Sequence, residues 1–372
     1  TNFKAMQICP RCETTLSNNE VADGYKDITD ISVTVKFELV DEADTFVLAW
    51  TTTPWTLPGN VALAVNPEKE YAEVLFEGKK YILARERIEK TFVGKEYTMG
   101  RVMPGAELVE KSYRPIFDYY AQNEALENRE RGWKIYGAEF VTMDSGTGVV
   151  HIAPAFGEDD MNLGKKEKLP FVQHVGMDGK MKKDVYDFAG EIAKPKEDHQ
   201  ATDILIIKHL AKIEKLFSKE KIIHSYPHCW RCDTPLLNYA AESWFVKVPE
   251  LRDKIIVQNA TTSWRPEHLR DGRFGKLLAG APEWAISRAR YWGAPIPVWA
   301  CTLCGTTEAF GSQKALSERA RTAKNRYIVM RHGEAESNTK GIISSRLGTG
   351  VAVSLTEEGK AQALKTAELL KD

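Results

Sequence analysis

AWTTTPWTLPGN, residues 49–60, crowds four threonines and two tryptophans around two prolines. Thr51, Thr52 and Thr53 end a predicted strand (TFVLAWT, 45–51). Pro54 and Pro58 stiffen the turn that follows, because proline fixes φ and removes an N–H donor. Adjacent hydroxyls on such a turn suit a ribose or a carbonyl ligand. Read alone, the same residues also fit a Thr-rich strand end with a packed tryptophan.

Working outward, YKDITDISVTVKFEL alternates Ile31, Val33, Val35 and Phe37 with polar neighbours, the pattern of a half-buried strand. Further predicted strands are VALAV, YAEVLFEGKKYILA with a turn at Glu77-Gly78, AEFVTMD and GVVHIAP. Short strands separated by Gly, Pro and Asp turns predict a β-barrel-like domain over about 20–222. Late in it, ATDILIIKHLAKIEKLF sets Ile206, Leu210, Ile213 and Phe217 on one helical face, with Asp203 as an early acidic residue. The expectation is a helix packed on the barrel.

A second chemical stretch, SGTGVVHIAPAFGEDD (145–160), has a Gly turn, a strand carrying His151, and a loop with Glu158, Asp159 and Asp160. These could shape a pocket for a cationic amine; a structural histidine and a solvated acidic loop are the plainer alternatives. All six cysteines fall in CxxC pairs: Cys9/Cys12, Cys229/Cys232 and Cys301/Cys304. Two thiolates on one turn can share a tetrahedral ion, and two such pairs complete a structural zinc site. Three pairs without a leftover cysteine favour metal over redox chemistry, and the spacing leaves the pairing open.

Composition bounds the rest. A chain of 372 residues predicts two or three domains, and 43% hydrophobic with 28% charged residues describes a soluble globular protein. No apolar run is long enough for a membrane span and the first residues lack a signal-peptide layout, so a cytoplasmic enzyme is expected. A net charge of -1 neither requires nor excludes a nucleic-acid partner. Lysines concentrate in 161–221, as a solvated face or, alternatively, an RNA-contacting strip. From 224 the chain turns aromatic and Arg-rich and reads as mixed α/β; 306–325 is polar and linker-like, and a new strand, RYIVM, then runs into RHGEAESN.

TTTPWTLPGN, GTGVVHIAPAFGEDD, PHCWRCDTPL and WAISRARYWGAPIPVW, in this order, closely resemble the isoleucyl-tRNA synthetases of class I over about residues 5–318. Valyl and leucyl relatives typically carry Arg in place of the third threonine, followed by Pro-Glu or Pro-Asp, so Pro54-Trp55 points to the isoleucine branch. The resemblance implies a β-barrel-like editing domain (20–222) inserted in a Rossmann-type catalytic domain, represented here by 1–19 and 223–318. In that family editing hydrolyses valine wrongly esterified to isoleucine tRNA. One methylene separates the two amino acids, worth only about 1–3 kcal/mol, and this pair is the standard illustration of why a second sieve is needed.

Carried over by position, the resemblance puts Thr51, Thr52, Thr53 and Asn60 around the terminal adenosine and the scissile ester. It puts Asp160 on the α-ammonium and His151 beside the side-chain pocket, excluding isoleucine. With no obvious Ser–His–Asp arrangement, direct attack by a positioned water is expected. It implies one zinc site from Cys9, Cys12, Cys229 and Cys232, and half of another from Cys301 and Cys304. Trp244 and Trp292 match positions at the aminoacylation pocket, where Ala289 replaces the family's more usual Gln or Asn. The implied ligands are isoleucine tRNA, isoleucine, valine and ATP with Mg2+, bound by a monomer. Neither a HIGH-type nor a KMSKS-type stretch occurs, so this chain is not expected to charge tRNA by itself.

The tail, RHGEAESN followed by LTEEGKAQA, resembles the histidine phosphatase (phosphoglycerate mutase-like) superfamily. There His332 would be the phosphorylated nucleophile, with Arg331 and Asn338 gripping phosphate. Residues 319–325 read as a linker and 326–372 as the first strand and helix of that α/β domain. A start almost at a CxxC and an end inside this segment read as a truncated chain. A free-standing editing factor and a phosphatase with an RNA-binding front are the alternative readings.

Overall fold

A computed structural model describes residues 2–289, 295–320 and 356–369, in two compact units, Thr1–Gly293 and Ala294–Asp372. The first unit opens with β1 (Asn2–Cys9), β2 (Thr14–Thr15), the short α1 (Asn18–Ala22), β3 (Tyr25–Glu38) and β4 (Thr45–Thr51). A 3-10 turn at Pro54–Gly59 leads to β5 (Ala62–Val65), β6 (Glu70–Phe76) and β7 (Lys79–Ala84). Next come α2 (Ile88–Thr91), β8 (Thr98–Pro104), β9 (Lys134–Gly137), β10 (Val149–Ile152) and α3 (Glu158–Glu167). Last are α4 (Ala201–Lys212), β11 (Leu216–Pro227) and β12 (Leu237–Ser243), before shorter elements that include helices Val248–Thr261 and Arg273–Ala279.

Six strands form one sheet in the order β11-β3-β4-β7-β6-β8, antiparallel except for the parallel β4–β7 pair. Three form another, β10-β5-β9. Both contribute to one core, Val33, Val35, Val47 and Ile82 from the first meeting Ala62, Leu63, Ile135 and Val149 from the second. Among the described residues neither sheet closes on itself, so the barrel-like expectation is corrected to two open sheets over a shared core within a mixed α/β fold. A third sheet, β12-β1-β2, joins the two ends of this region.

The Glu77-Gly78 turn forms as its sequence predicts, with both residues at positive φ (48° and 75°), the geometry a two-residue hairpin requires. Three expectations change. β3 is not half-buried in its centre: Ser32 and Thr34 are as buried as Val33 and Val35, because the sheet is covered on both faces there. AEFVTMD is turn and bend, and the strand is the adjacent Lys134–Gly137, paired with β5. Its apolar residues Val141 and Met143 are buried without a ladder. The helix stops at Lys212; Glu214 turns into left-handed backbone (φ 56°), and Phe217 lies in β11 against Tyr81 and Phe92. Ile206 and Leu210 do face the core.

The second unit contains a hairpin, Val298–Ala300 with Thr307–Ala309, and helices Gln313–Ala320 and Glu357–Leu369. Among the described residues no helix is long and apolar enough to cross a membrane.

Candidate functional site

The end of β4, the 3-10 turn, the start of β10 and the first turn of α3 enclose a cleft of about 300 Å3. Thr51, Thr52, Thr53, Thr56, His151 and Asp160 all line it, with Trp50, Phe140, Phe156 and the 145–150 loop completing its wall. The threonines converge because β4 ends at Thr51 and the proline-stiffened turn begins at Pro54, with only Thr52 and Thr53 between them. Gly148 lets the opposite loop come close: its φ is 72°, and a Cβ there would sit 2.3 Å from the Ala84 Cβ.

The hydroxyls are linked to one another. Thr51 Oγ1 accepts the Thr53 amide at 3.1 Å and lies 3.2 Å from Thr53 Oγ1, which is 3.3 Å from Thr56 Oγ1. Thr56 donates to the Thr53 carbonyl at 2.8 Å and meets His151 Nε2 at 2.8 Å. Thr52 makes no hydrogen bond to another described residue and is half-buried on the cleft wall. Its hydroxyl is therefore free for a ligand.

The partners of His151 fix its tautomer. Tyr113 donates to Asn60 Oδ1 at 2.6 Å, and Asn60 Nδ2 donates to the Ala62 carbonyl at 2.8 Å. The Asn60 amide nitrogen therefore faces His151 Nδ1, at 3.5 Å, and the ring proton belongs on Nε2, donated to Thr56. A Thr–His–Asn nucleophile system needs the reverse, with Nε2 unprotonated to take the hydroxyl proton. Burial also lowers the His151 pKa to about 4. The ring is a neutral donor. Asn60 itself stands behind this wall rather than lining the cleft.

Asp160 lies in the first turn of α3, and its Oδ2 accepts the Ala153 amide at 2.9 Å. Gly157 leaves room for the carboxyl group, since a Cβ there would come within 2.8 Å of its carbon. Burial pushes the Asp160 pKa up to about 7, with the charge of Asp159 adding to the rise and the Ala153 amide opposing it. A cationic group in the cleft would reverse that shift.

Cys9, Cys12, Cys229 and Cys232 bring their sulfurs within 4.8 Å of one another. Cys9 and Cys232 are 3.4 Å apart and Cys12 and Cys232 3.7 Å, close to the edge of about 3.8 Å that follows from a tetrahedral ion at roughly 2.3 Å from each sulfur. Each second cysteine is followed by a left-handed residue, Glu13 (φ 50°) or Asp233 (φ 62°), and all four cysteines are free thiols. Burial raises the Cys9 thiol, so keeping it as a thiolate requires a cation. This donor set fits a metal ion. Cys301 and Cys304 repeat the turn on an exposed hairpin, with Gly305 at φ 70° and its amide donated to the Cys301 carbonyl at 2.9 Å. No third ligand joins them among the described residues.

Trp244 is half-buried beyond β12, its amide donating to Ser287 Oγ at 2.9 Å, and is not part of the cleft. Trp292, Arg331, His332 and Asn338 lie outside the described residues. Sequence reading missed Thr56, Tyr113 and a buried group behind the turn. There Asp203 Oδ1 accepts the Trp55 amide at 3.0 Å, and Lys194 bonds both oxygens of Asp30 at 2.8 and 2.9 Å. Thr56 was visible within the quoted motif; the others are brought in from distant segments and carry no local signal.

Residues 1–341 match the model of tRNA synthetases class I (I, L, M and V), and residues 327–372 that of the histidine phosphatase superfamily, branch 1. The chain is 46% identical over 296 residues to an isoleucine–tRNA ligase of Bacillus thuringiensis (80% of this chain, 27% of the relative). It is 44% identical over 311 residues to one from Clostridium novyi (84% and 29%), and 42% identical over 346 to one from Treponema denticola (85% and 31%). It thus spans less than a third of each of these relatives. A crystal structure of the P. falciparum cytosolic leucyl-tRNA synthetase editing domain aligns at a TM-score of 0.30 and 11% identity, covering 37% of this chain and 66% of that one, too slight a likeness to bear on the fold. With the class I model matched along most of its length, the chain belongs to the class I tRNA synthetases (I, L, M and V).

Proposed function

We propose that this chain carries the editing site of an isoleucine-specific synthetase, which hydrolyses valine mistakenly esterified to isoleucine tRNA. The observation that carries the reading is one cleft lined by Thr51, Thr52, Thr53, His151 and Asp160. In this reading Thr52 and the linked pair Thr51/Thr53 hold the terminal ribose and ester, and Asp160 holds the α-ammonium by a charge-assisted bond. His151 forms the floor that admits valine and rejects one further methylene. A water held by these groups attacks the ester carbonyl carbon; the bond to the ribose oxygen then breaks and that oxygen takes the proton. The neutral, donating His151 supports direct attack by water over an acyl-enzyme. Asn60 positions His151 from behind.

On this reading residues 20–222 form the editing domain, 1–19 and 223–318 belong to the catalytic domain, 319–325 link and 326–372 begin the phosphatase-like part. Zn2+ is the ion for Cys9, Cys12, Cys229 and Cys232, where thiolate donors at tetrahedral spacing suit it, and Cys301 with Cys304 supply half of a second site. In the longer protein, a cytoplasmic monomer, Trp244 and Trp292 contribute to the site that charges isoleucine tRNA using ATP and Mg2+. Arg331, His332 and Asn338 would bind and accept phosphate in the tail.

The test is deacylation of valine-charged isoleucine tRNA by this chain, beside ATP–pyrophosphate exchange. Hydrolysis without exchange is expected; hydrolysis no faster than in buffer overturns the reading.

A further inference from the structure

Thr53 stands where a helical turn normally caps itself. It precedes Pro54–Gly59, and a threonine there usually turns its hydroxyl onto the first free amides of the turn. Here it does not: Thr53 makes no side-chain cap, and its Oγ1 lies instead 3.2 Å from Thr51 Oγ1 and 3.3 Å from Thr56 Oγ1. Pro54 has no N–H, so the first amide needing a partner is that of Trp55. It is taken from behind by Asp203 Oδ1 at 3.0 Å, across 148 residues of sequence.

Asp203 sits on α4 and is fully buried, as is Lys194, whose Nζ lies 3.6 Å from Asp203 Oδ2 while bonding both oxygens of Asp30. Burying a carboxylate is costly unless it is paired and hydrogen-bonded. Lys194 lessens that cost, and the bond Asp203 makes toward the cleft is the one to Trp55.

We infer that Asp203 is a positioning residue which caps the Trp55 amide in place of Thr53, so that the Thr53 hydroxyl is released into the cleft. A turn that capped itself would hold this oxygen against its own backbone. The substitution of a remote acceptor keeps the turn intact and leaves three hydroxyls, Thr51, Thr53 and Thr56, in one connected row. The inference rests on the editing reading for its kinetic consequence but not for its structural one.

Two measurements on the full chain separate these. Thr53→Ala should leave the melting temperature within about 2 °C of wild type, because Thr53 does not cap; a fall of more than about 4 °C overturns the inference. In valyl-tRNA deacylation, Asp203→Leu should lower kcat on the order of 10- to 100-fold with KM nearly unchanged, as expected when a reacting geometry is displaced. Asp203→Asn, which keeps an oxygen acceptor, should restore kcat to within about 3-fold of wild type. Thr53→Val added to Asp203→Leu should cost almost nothing further, since the hydroxyl is already lost to the site. Fully additive losses, or an Asp203→Asn as impaired as Asp203→Leu, overturn it. Should Asp203→Leu not fold, the Thr53→Ala melting result and Asp203→Asn kinetics still decide. A wild-type chain without deacylation would sink the editing reading alone, while the melting result would still judge the cap.

Discussion

The ring nitrogen Nε2 of His151 lies 2.8 Å from the hydroxyl of Thr56, and the proton between them belongs to the histidine. The bond makes His151 a shaped, neutral part of the wall. His151→Ala should therefore widen the floor and let isoleucine in. Hydrolysis of correctly charged isoleucine tRNA is expected to rise about 10- to 100-fold, the range one methylene is worth, while valine is still removed. Initial rates on the two charged tRNAs check this; loss of both activities with no gain on isoleucine would mean that His151 acts in the chemistry.

Thr52 and its neighbours should differ in kind. Thr52 has a hydroxyl without a partner among the described residues, whereas Thr51 and Thr53 bond each other. Thr52→Val should chiefly raise KM, and Thr51→Val or Thr53→Val should chiefly lower kcat by disturbing the row. Separate kcat and KM determinations distinguish them, and equal effects at all three positions would contradict the assignment.

Asp160 should write its ionisation into the pH profile. Its carboxyl is held near pH 7 by burial, and only the ionised form attracts an ammonium. In the free protein kcat/KM should rise with pH through about 7 and then level off. Asp160→Asn should be slower, by about 10-fold or more, and should lack that limb.

His174 carries an acid liability. It is fully buried, its Nε2 meets the Trp55 carbonyl at 2.9 Å, and burial lowers its pKa to about 4. The sign follows from linkage: a histidine depressed on folding contributes stability above its unfolded pKa of about 6.5, lost as pH falls through the folded value. Asp203, raised to about 7 by burial despite Lys194, runs the other way, contributing below the unfolded carboxylate value and losing it as pH rises toward 7. These opposed groups flatten the wild-type response. His174→Gln removes one side, so its stability relative to wild type should improve by about 2 kcal/mol between pH 7 and pH 4.5. Denaturant unfolding at the two pH values measures the difference.

Metal removal should act on the third sheet. Cys12→Ser or Cys229→Ser is expected to abolish one equivalent of bound zinc and lower the melting temperature, and Cys301→Ser to leave that equivalent in place. Metal analysis with thermal unfolding checks both; zinc lost on changing Cys301 but kept on changing Cys12 would reverse the pairing.

What the sequence revealed was local. The strand at Ile31–Phe37, the Glu77-Gly78 turn and the crowding of Thr51–Thr56 are written in adjacent residues, and each forms, although β3 is buried on both faces at its centre rather than alternating. The closing of a barrel depends on whether edge strands find partners, which alternation does not encode. Phe217 fitted a helical face, but a left-handed Glu214 ended the helix first. Asp203 read as an acidic residue at a helix start; its real partners, Trp55 and Lys194, come from two other segments and only the folded chain brings them together.

Tyr25 and Pro227 are register partners at the ends of β3 and β11, and just beyond them the amide of His228 donates to the carbonyl of Gly24 at 2.8 Å. Some two hundred residues thus leave and return through one doorway. Beneath it, the β1–β12 pairing and the four cysteines hold the threshold together. The excursion is nonetheless not detachable from its base: the amide of Ala240 in β12 donates to the carbonyl of Ala155 at 2.7 Å and Tyr239 packs edge-on against Phe156, so a cut at the doorway would open the shared core as well as the two neighbouring strands.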